Sequence, residues 1–147
     1  MKKTRIVALS VLAVAIVGSA LYIHFRSPSK YVHPLTIGTT HIKVAYASTP
    51  SEQEQGLSGT RSLAGDQGML FAFPTETELP FWMKGMHYSL DIIWIGSDMT
   101  VKDITPDLSP STYPNSYGPK VPIQYTLEVP AGFAKAHEIV DGTQVSF

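Results

Sequence analysis

The segment FWMKGMHYSLDIIWI, residues 81–95, ends in an apolar run, and this run indicates which strand lies in the hydrophobic core. Residues 89–95 suit a strand, and both faces of that strand are apolar. One face holds Leu90, Ile92 and Trp94, and the other holds Asp91, Ile93 and Ile95. Such a strand is predicted to be buried on both sides. Asp91 must then be paired or hydrogen-bonded, because an isolated buried carboxylate is costly.

Patterns of period two on both sides of this segment predict further strands. These strands are expected at residues 41–46, 68–73, 79–83, 99–104 and 123–129 and at the C-terminus. Short helices are predicted after the capping-box segment TPSE, residues 49–52, and at about residues 131–138. The five prolines of residues 105–122 predict a long loop. The fold class is therefore mostly β, a β-sandwich or barrel-like domain with two short helices.

The N-terminus has a different character from the rest of the chain. Residues 6–23 carry no charge and follow Lys2, Lys3 and Arg5. A helix of that length spans about 27 Å, close to a membrane hydrocarbon core of about 30 Å. Residues 1–23 are therefore predicted to be an uncleaved membrane anchor, with a cleaved signal peptide as the alternative.

The same N-terminal pattern predicts a domain organisation and a location. Residues 24–34 are expected to be a linker, and residues 35–147 a single β-rich domain. The basic N-terminus is expected to stay in the cytoplasm. The domain would then lie on the extracytoplasmic side of the cell membrane, periplasmic or outer, or be secreted if the signal is cleaved.

The composition of the exported part excludes several classes of protein. From residue 31 onward the chain has six basic and twelve acidic residues, a net charge of −6. Such an acidic domain is not expected to bind nucleic acid. The chain has no cysteine, which excludes disulfides, thiolate metal sites and cysteine nucleophiles. The membrane, through the N-terminal segment, and a small ligand or envelope protein remain as predicted partners.

The opening segment also contains a candidate ligand site. On a strand, Phe81 and Met83 share one face, while Trp82 and Lys84 share the other. An aromatic ring beside a cation suits a ligand with an apolar face and a negative or hydroxyl group, although simple packing of the lysine stem on the indole is the alternative. Gly85 is expected in a turn with positive φ. Trp82 and Lys84 are predicted to line a concavity.

Four segments of the chain together resemble one family: TPSEQEQGLSGTRSL, GMLFAF, FWMKGMHYSLDIIWI and YTLEVPAGFAKAHEIVDGTQVSF. Over roughly residues 36–147 the chain is similar to the domain of unknown function 192 family, small bacterial and archaeal proteins that often carry an N-terminal signal or anchor. The resemblance implies a mostly β, sandwich-like domain with short helices and no established activity. Its motif positions fall on Gly56, Leu57, Arg61, Gly68, Met69, Phe81, Trp82, Met83, Lys84, Asp91, Glu128 and Gly132.

The predicted function is a binding module for a small ligand or an envelope partner. The predicted ligand-binding residues are Arg61, Trp82, Lys84, Asp91 and Glu128, with the 105–122 loop as the rim. Arg61 and Lys84 are the cations that could pair with Asp91. No cofactor, resident metal or catalytic residue is predicted, because common hydrolase, metalloprotease and phosphate-loop motifs are missing.

Two other functions remain open. A hydrolase could use Asp91 and Glu128 as a carboxylate pair, provided that both side chains face one cleft. Alternatively, Met83, Met86 and His87 could bind Cu(I), since thioethers and imidazole suit that soft ion. The two methionines lie on opposite faces of a regular strand, so the copper hypothesis requires the turn at Gly85.

Overall fold

The computed structural model describes residues 30–147, which contain the whole predicted β-rich domain. The predicted anchor or signal at residues 1–23 lies outside the described residues. Within residues 30–147 no helix is long and apolar enough to cross a membrane. The first strand begins at His33, inside the segment predicted as a linker.

The described residues form nine strands, two short helices and one 3-10 turn. The strands are β1 (His33–Ile37), β2 (Thr40–Ala47), β3 (Gln67–Thr77), β4 (Phe81–Trp82), β5 (Leu90–Ile95), β6 (Val101–Leu108), β7 (Ser116–Tyr117), β8 (Ile123–Pro130) and β9 (Val145–Ser146). The helices are α1 (Pro50–Gln55) and α2 (Phe133–Ala136), and the 3-10 turn is Pro110–Thr112.

Seven of these strands form one sheet in the order β6-β5-β8-β3-β2-β1-β9. Strands β2 and β3 run parallel, with α1 in the connection between them, and the other neighbouring pairs are antiparallel. The sheet curls into a half-barrel. Strands β4 and β7 form a separate two-stranded ribbon. The prediction of a mostly β domain with two short helices is confirmed, and the architecture is barrel-like.

The core lies on both faces of the large sheet, and β5 is buried along its whole length. On one face Ile93 and Ile95 pack in an apolar cluster that includes Phe133 of α2. On the other face Ile92 and Trp94 pack in a second cluster. A strand buried on both sides requires apolar residues at nearly every position, which explains the sequence of β5.

Helix α1 begins with the predicted capping box. The Thr49 hydroxyl accepts a hydrogen bond from the Glu52 N–H at 3.3 Å, and the Glu52 carboxylate accepts one from the Thr49 N–H at 2.9 Å. Backbone donors at Thr49 and Ser48 hold the pKa of Glu52 below its ordinary value. Gln53 then donates to the Ala72 carbonyl at 2.9 Å, which fixes α1 against β3.

The prediction of one long loop over residues 105–122 is wrong in part. Strand β6 continues to Leu108, and β7 lies within the same segment. Strand β6 is at the edge of the sheet, where Pro106 is tolerated because an edge position does not require an N–H for a second neighbour. The pairing of β6 with β5 shifts register at this point, and Asp107 has a positive φ of 51°.

Asp91 connects three parts of the fold through one buried carboxylate. One oxygen accepts hydrogen bonds from the N–H groups of Asp107 at 2.9 Å and Gly132 at 3.1 Å. The other accepts from the Ala134 N–H at 2.9 Å. Asp91 is only 1% exposed, and these three donors replace the water that its charge would otherwise need. Its carboxylate therefore ties the irregular part of β6 and the start of α2 to β5.

Of the two expectations for Asp91, hydrogen bonding is observed and pairing with a cation is not. The salt bridges among residues 30–147 join Lys102 to Asp98 and Lys120 to Asp103. Arg61 and Lys84 are both exposed. Asp91 needs no cation, because backbone N–H groups already satisfy its carboxylate and a side-chain cation would itself have to be buried.

We expect the substitution Asp91→Ala to lower the free energy of unfolding by about 2–4 kcal/mol, because it leaves three backbone donors without an acceptor. Urea denaturation measures this difference. Asp66→Ala, at an exposed aspartate, is the control and should change stability by less than about 0.5 kcal/mol. A denaturation midpoint of Asp91→Ala equal to that of the parent would contradict the structural role.

Candidate functional site

A cavity of about 320 Å³ opens between α1, the end of β3 and the β4 segment. Its walls are mainly apolar, and large side chains provide most of them: Phe71, Phe73, Leu79, Phe81, Trp82 and Met86. Residues of α1 and the turn that follows it form the opposite side. The cavity therefore has the concave, aromatic character of a small-molecule site.

Aromatic contacts hold β4 over the large sheet. The ring of Phe81 packs edge-on against Phe71 at a centroid distance of 4.9 Å and against Trp94 at 5.5 Å. Phe81 is half-buried. Trp82 is 50% exposed, so its ring lines the mouth of the cavity rather than the core.

Glu128 is the one acidic side chain that reaches this cavity from the sheet. Its neighbours across the adjacent strands are Met69 of β3 and Ile92 of β5, so it lies on the apolar face that α1 and β4 cover. Glu128 is 6% exposed. Within residues 30–147, its Oε2 atom has no hydrogen-bond partner.

The surroundings of Glu128 favour its protonated form. Burial raises the pKa of this carboxyl from 4.5 to about 8, and the positive charge of Lys30 opposes the shift. At neutral pH the side chain is therefore mainly a neutral carboxylic acid. Such a group can donate one hydrogen bond and accept others.

Three other polar side chains near Glu128 are also buried or half-buried: Thr126, Tyr31 and Tyr88. Thr126, two residues earlier on the same strand face, is buried, and its hydroxyl likewise finds no hydrogen-bond partner in the described part of the chain. Burial raises the pKa of the Tyr31 and Tyr88 phenols, and the negative charge of Glu128 adds to both shifts. The Tyr88 hydroxyl is hydrogen-bonded to Thr60 Oγ1 at 2.6 Å.

The five predicted site residues do not meet in one place. Trp82 and Glu128 line the aromatic cavity, and Lys84 lines an adjacent depression together with Trp82 and Gly85. This agrees with the concavity predicted for Trp82 and Lys84. Arg61 and Asp91 line neither depression, and neither does any residue of the predicted 105–122 rim.

The sheet register separates the two carboxylates of the hydrolase hypothesis. Asp91 pairs with Val129, and Glu128 pairs with Ile92. Because consecutive residues of a strand face opposite ways, Asp91 and Glu128 point to opposite faces of the sheet. They do not share a cleft in which one could protonate a leaving group and the other act on the same bond.

The candidate copper ligands have three different environments. Met83 is buried in the core, Met86 is half-buried at the cavity, and His87 is exposed. Gly85 has a φ of 68°, which confirms the predicted turn between the methionines. Among residues 30–147 no group of three or more His, Cys, Asp or Glu side chains could hold a metal ion.

The sequence did not reveal the cavity itself. From the sequence, Phe71 and Phe73 are predicted only as part of a strand, and Met86 only as a possible copper ligand. Glu128 alternates with apolar neighbours, a pattern that indicates a half-solvated strand rather than a buried acid. A polar residue on the covered face of β8 becomes visible only when α1 and β4 are placed over it.

These features define a class of protein, a small β-domain with one curled sheet and an aromatic cavity that ends at a buried glutamate. The chain belongs to the domain of unknown function 192 family, whose model, described as "Uncharacterized ACR", matches residues 33–147. The resemblance inferred from the sequence is thereby confirmed. None of the curated proteins compared with the chain matches it.

Solved structures share this fold. A chain from Sinorhizobium meliloti 1021, described as a "putative transcription regulator", is 29% identical, with a TM-score of 0.74 over 82% of this chain and 97% of that one. A protein of unknown function from Novosphingobium aromaticivorans DSM 12444 is 27% identical, with a TM-score of 0.75 over 84% of this chain and 94% of that one. Both share the fold of the described domain over most of their own length.

We expect Glu128→Gln to alter how stability depends on pH. Between the unfolded pKa near 4.5 and the folded pKa near 8, the folded parent binds more protons than the unfolded chain, so its stability falls as pH rises. The glutamine variant lacks this loss. Its stability relative to the parent should therefore increase by about 3–5 kcal/mol from pH 4.5 to pH 9.

Urea denaturation across that pH range makes the measurement. The matched control is Glu78→Gln, which makes the same change at an exposed position. The control should follow the parent at every pH. Parallel pH profiles for Glu128→Gln and the parent would show that Glu128 ionises normally in the folded protein.

Proposed function

We propose that this domain is a binding module for a small ligand and that the ligand occupies the aromatic cavity above Glu128. The observation that carries the proposal is the buried Glu128 Oε2 atom, which has no hydrogen-bond partner within residues 30–147 although it lies at a cavity. A buried polar atom without a partner costs about 1–3 kcal/mol. A ligand that supplied the partner would recover this cost.

The lining indicates what such a ligand resembles. Four aromatic rings and four aliphatic or thioether side chains favour a mostly apolar body. Glu128 favours a single polar group at the inner end of that body. Trp82 and Lys84 lie at the outer side, where Lys84 could contact a polar substituent that extends from the cavity into the adjacent depression.

A sensing or carrier role agrees with the charge of the domain better than contact with nucleic acid. The description of the Sinorhizobium meliloti chain refers to transcription, and a protein can serve regulation by binding a metabolite. With six basic and twelve acidic residues after residue 30, this domain would repel a phosphate backbone. A small ligand or another protein is therefore the proposed partner.

The cavity can be tested with a ligand screen by thermal shift on the full-length protein. Compounds that bind the folded state should raise the melting temperature. Met86→Trp adds bulk to the cavity wall and should remove these shifts, whereas Val140→Trp, at an exposed apolar residue outside the cavity lining, should retain them. Equal shifts in both variants would place binding elsewhere, and no shift with any compound would count against the proposal.

We also propose that the domain is tethered at the extracytoplasmic side of the cell membrane. The support is the uncharged run of residues 6–23 behind a basic N-terminus. Protease added outside spheroplasts should then digest the domain, and the intact chain should sediment with membranes. Protection from protease would overturn the orientation, while a shortened soluble product would favour a cleaved signal.

A further inference from the structure

We infer that the cavity selects a ligand with one protonated amine on an apolar or aromatic body, and that its ammonium group displaces the proton of Glu128. The inference rests on the proposed function and specifies its ligand class. It follows from three properties of the described structure: the charges at the cavity, the free carboxyl oxygen and the aromatic walls.

The charges at the cavity are of one sign. Among residues 30–147, the charged residues that line it are Glu54 on α1 and Glu128 on β8, without a lysine or arginine. The domain as a whole is also negative after residue 30. An anionic ligand would meet two carboxyl groups in the lining itself, whereas a cation would be attracted by them on approach and on binding.

The buried carboxyl provides a specific seat for that cation. Glu128 Oε2 lacks a hydrogen-bond partner among residues 30–147, so an ammonium N–H can donate to it without displacing a protein contact. The attraction between opposite charges is stronger in this buried setting than at the surface, and it can offset the cost of desolvation where the remaining donors are satisfied. The cation would replace the bound proton as the means of neutralising the carboxylate.

The aromatic walls suit the remainder of such a ligand. Phe71, Phe81 and Trp82 line the same cavity, and ring faces attract a cation as well as packing against apolar surface. A hydroxyl ligand would gain the apolar contacts but would neither attract the rings electrostatically nor ionise Glu128. The amine therefore has an advantage over its isosteric alcohol that depends on Glu128.

The proton balance gives the inference a distinct signature. The amine enters protonated and remains so, the N–H group donates to the carboxylate, and the proton of Glu128 passes to the solvent. One proton is therefore released for each amine bound below the pKa of Glu128, which burial raises to about 8. Affinity should rise about tenfold per pH unit between pH 6 and pH 7.

Other charged and titratable groups act on Glu128 and enter the same equilibrium. Lys30 acts electrostatically from the N-terminal side, Tyr31 and Tyr88 interact with the carboxylate, and Glu54 faces the cavity from α1. Lys30 stabilises the charged carboxylate and competes with a ligand cation. These two effects oppose each other, so Lys30→Met should change the affinity for the amine little.

Three probes of one shape test the ligand class: 3-phenylpropylamine, 3-phenylpropan-1-ol and 3-phenylpropionate. Isothermal titration of the full-length protein at pH 7, in two buffers of different ionisation enthalpy, measures affinity and proton release together. The amine should bind at least about tenfold more tightly than the alcohol and release close to one proton. The propionate should bind most weakly.

Variants connect this preference to the carboxyl. Glu128→Gln should bind amine and alcohol equally and release no proton, while Glu78→Gln should behave as the parent. If Glu128→Gln does not fold, the parent's proton count and its preference for the amine over the alcohol still decide the question.

The possible failures are distinguishable. Alcohol binding that equals amine binding, or amine binding without proton release, would overturn the cationic ligand and leave the proposed small-molecule function standing. Tightest binding of the propionate would also overturn it. If none of the probes binds and the thermal-shift screen is also negative, the proposed function itself fails.

Discussion

Burial of both faces of β5 and β8 is the constraint on which the rest of this structure depends. All positions of β5 and residues 126–129 of β8 are buried against packed clusters, so a polar side chain there has little access to bulk water. Two carboxyl groups nevertheless occupy these strands. Each must lose its charge, find internal donors or be stabilised by a ligand, because an isolated buried charge is too costly.

Asp91 and Glu128 meet this constraint in opposite ways. Asp91 faces α2 and receives three backbone N–H groups, which makes it a structural tie between β5, β6 and α2. Glu128 faces the other cluster, where Oε2 finds no donor within the described residues and burial raises the pKa to about 8. A buried carboxyl group thus joins three elements on one face of the sheet, while the other face holds a carboxyl group whose protonated form is favoured by burial.

The position of the cavity follows from the way the second face is covered. Within residues 30–147 the face above Glu128 is covered by the short α1 and by the ribbon of β4 and β7 rather than by a continuous helix. Phe81 fixes β4 through its contacts with Phe71 and Trp94, and Trp82 consequently lies at the edge. The space that remains between these elements is lined by rings and ends at the glutamate, which is the basis of the proposed ligand site.

The sequence by itself determined the features that depend on local pattern. The apolar run of β5, the capping box of α1 and the glycine turn at Gly85 each result from interactions within a few residues, so they are readable in the chain. The family could also be recognised from the sequence alone, because its motifs occur in order along the chain.

Only the tertiary structure decided which of these residues act together. Alternation shows that two residues share a face of one strand, but long-range pairing decides how the faces of different strands combine. For this reason the predicted joint site of Asp91 and Glu128 separates into a structural carboxylate and a cavity carboxyl. The pairing of Glu128 with Ile92 and of Asp91 with Val129 fixes this division, and no local pattern encodes that register.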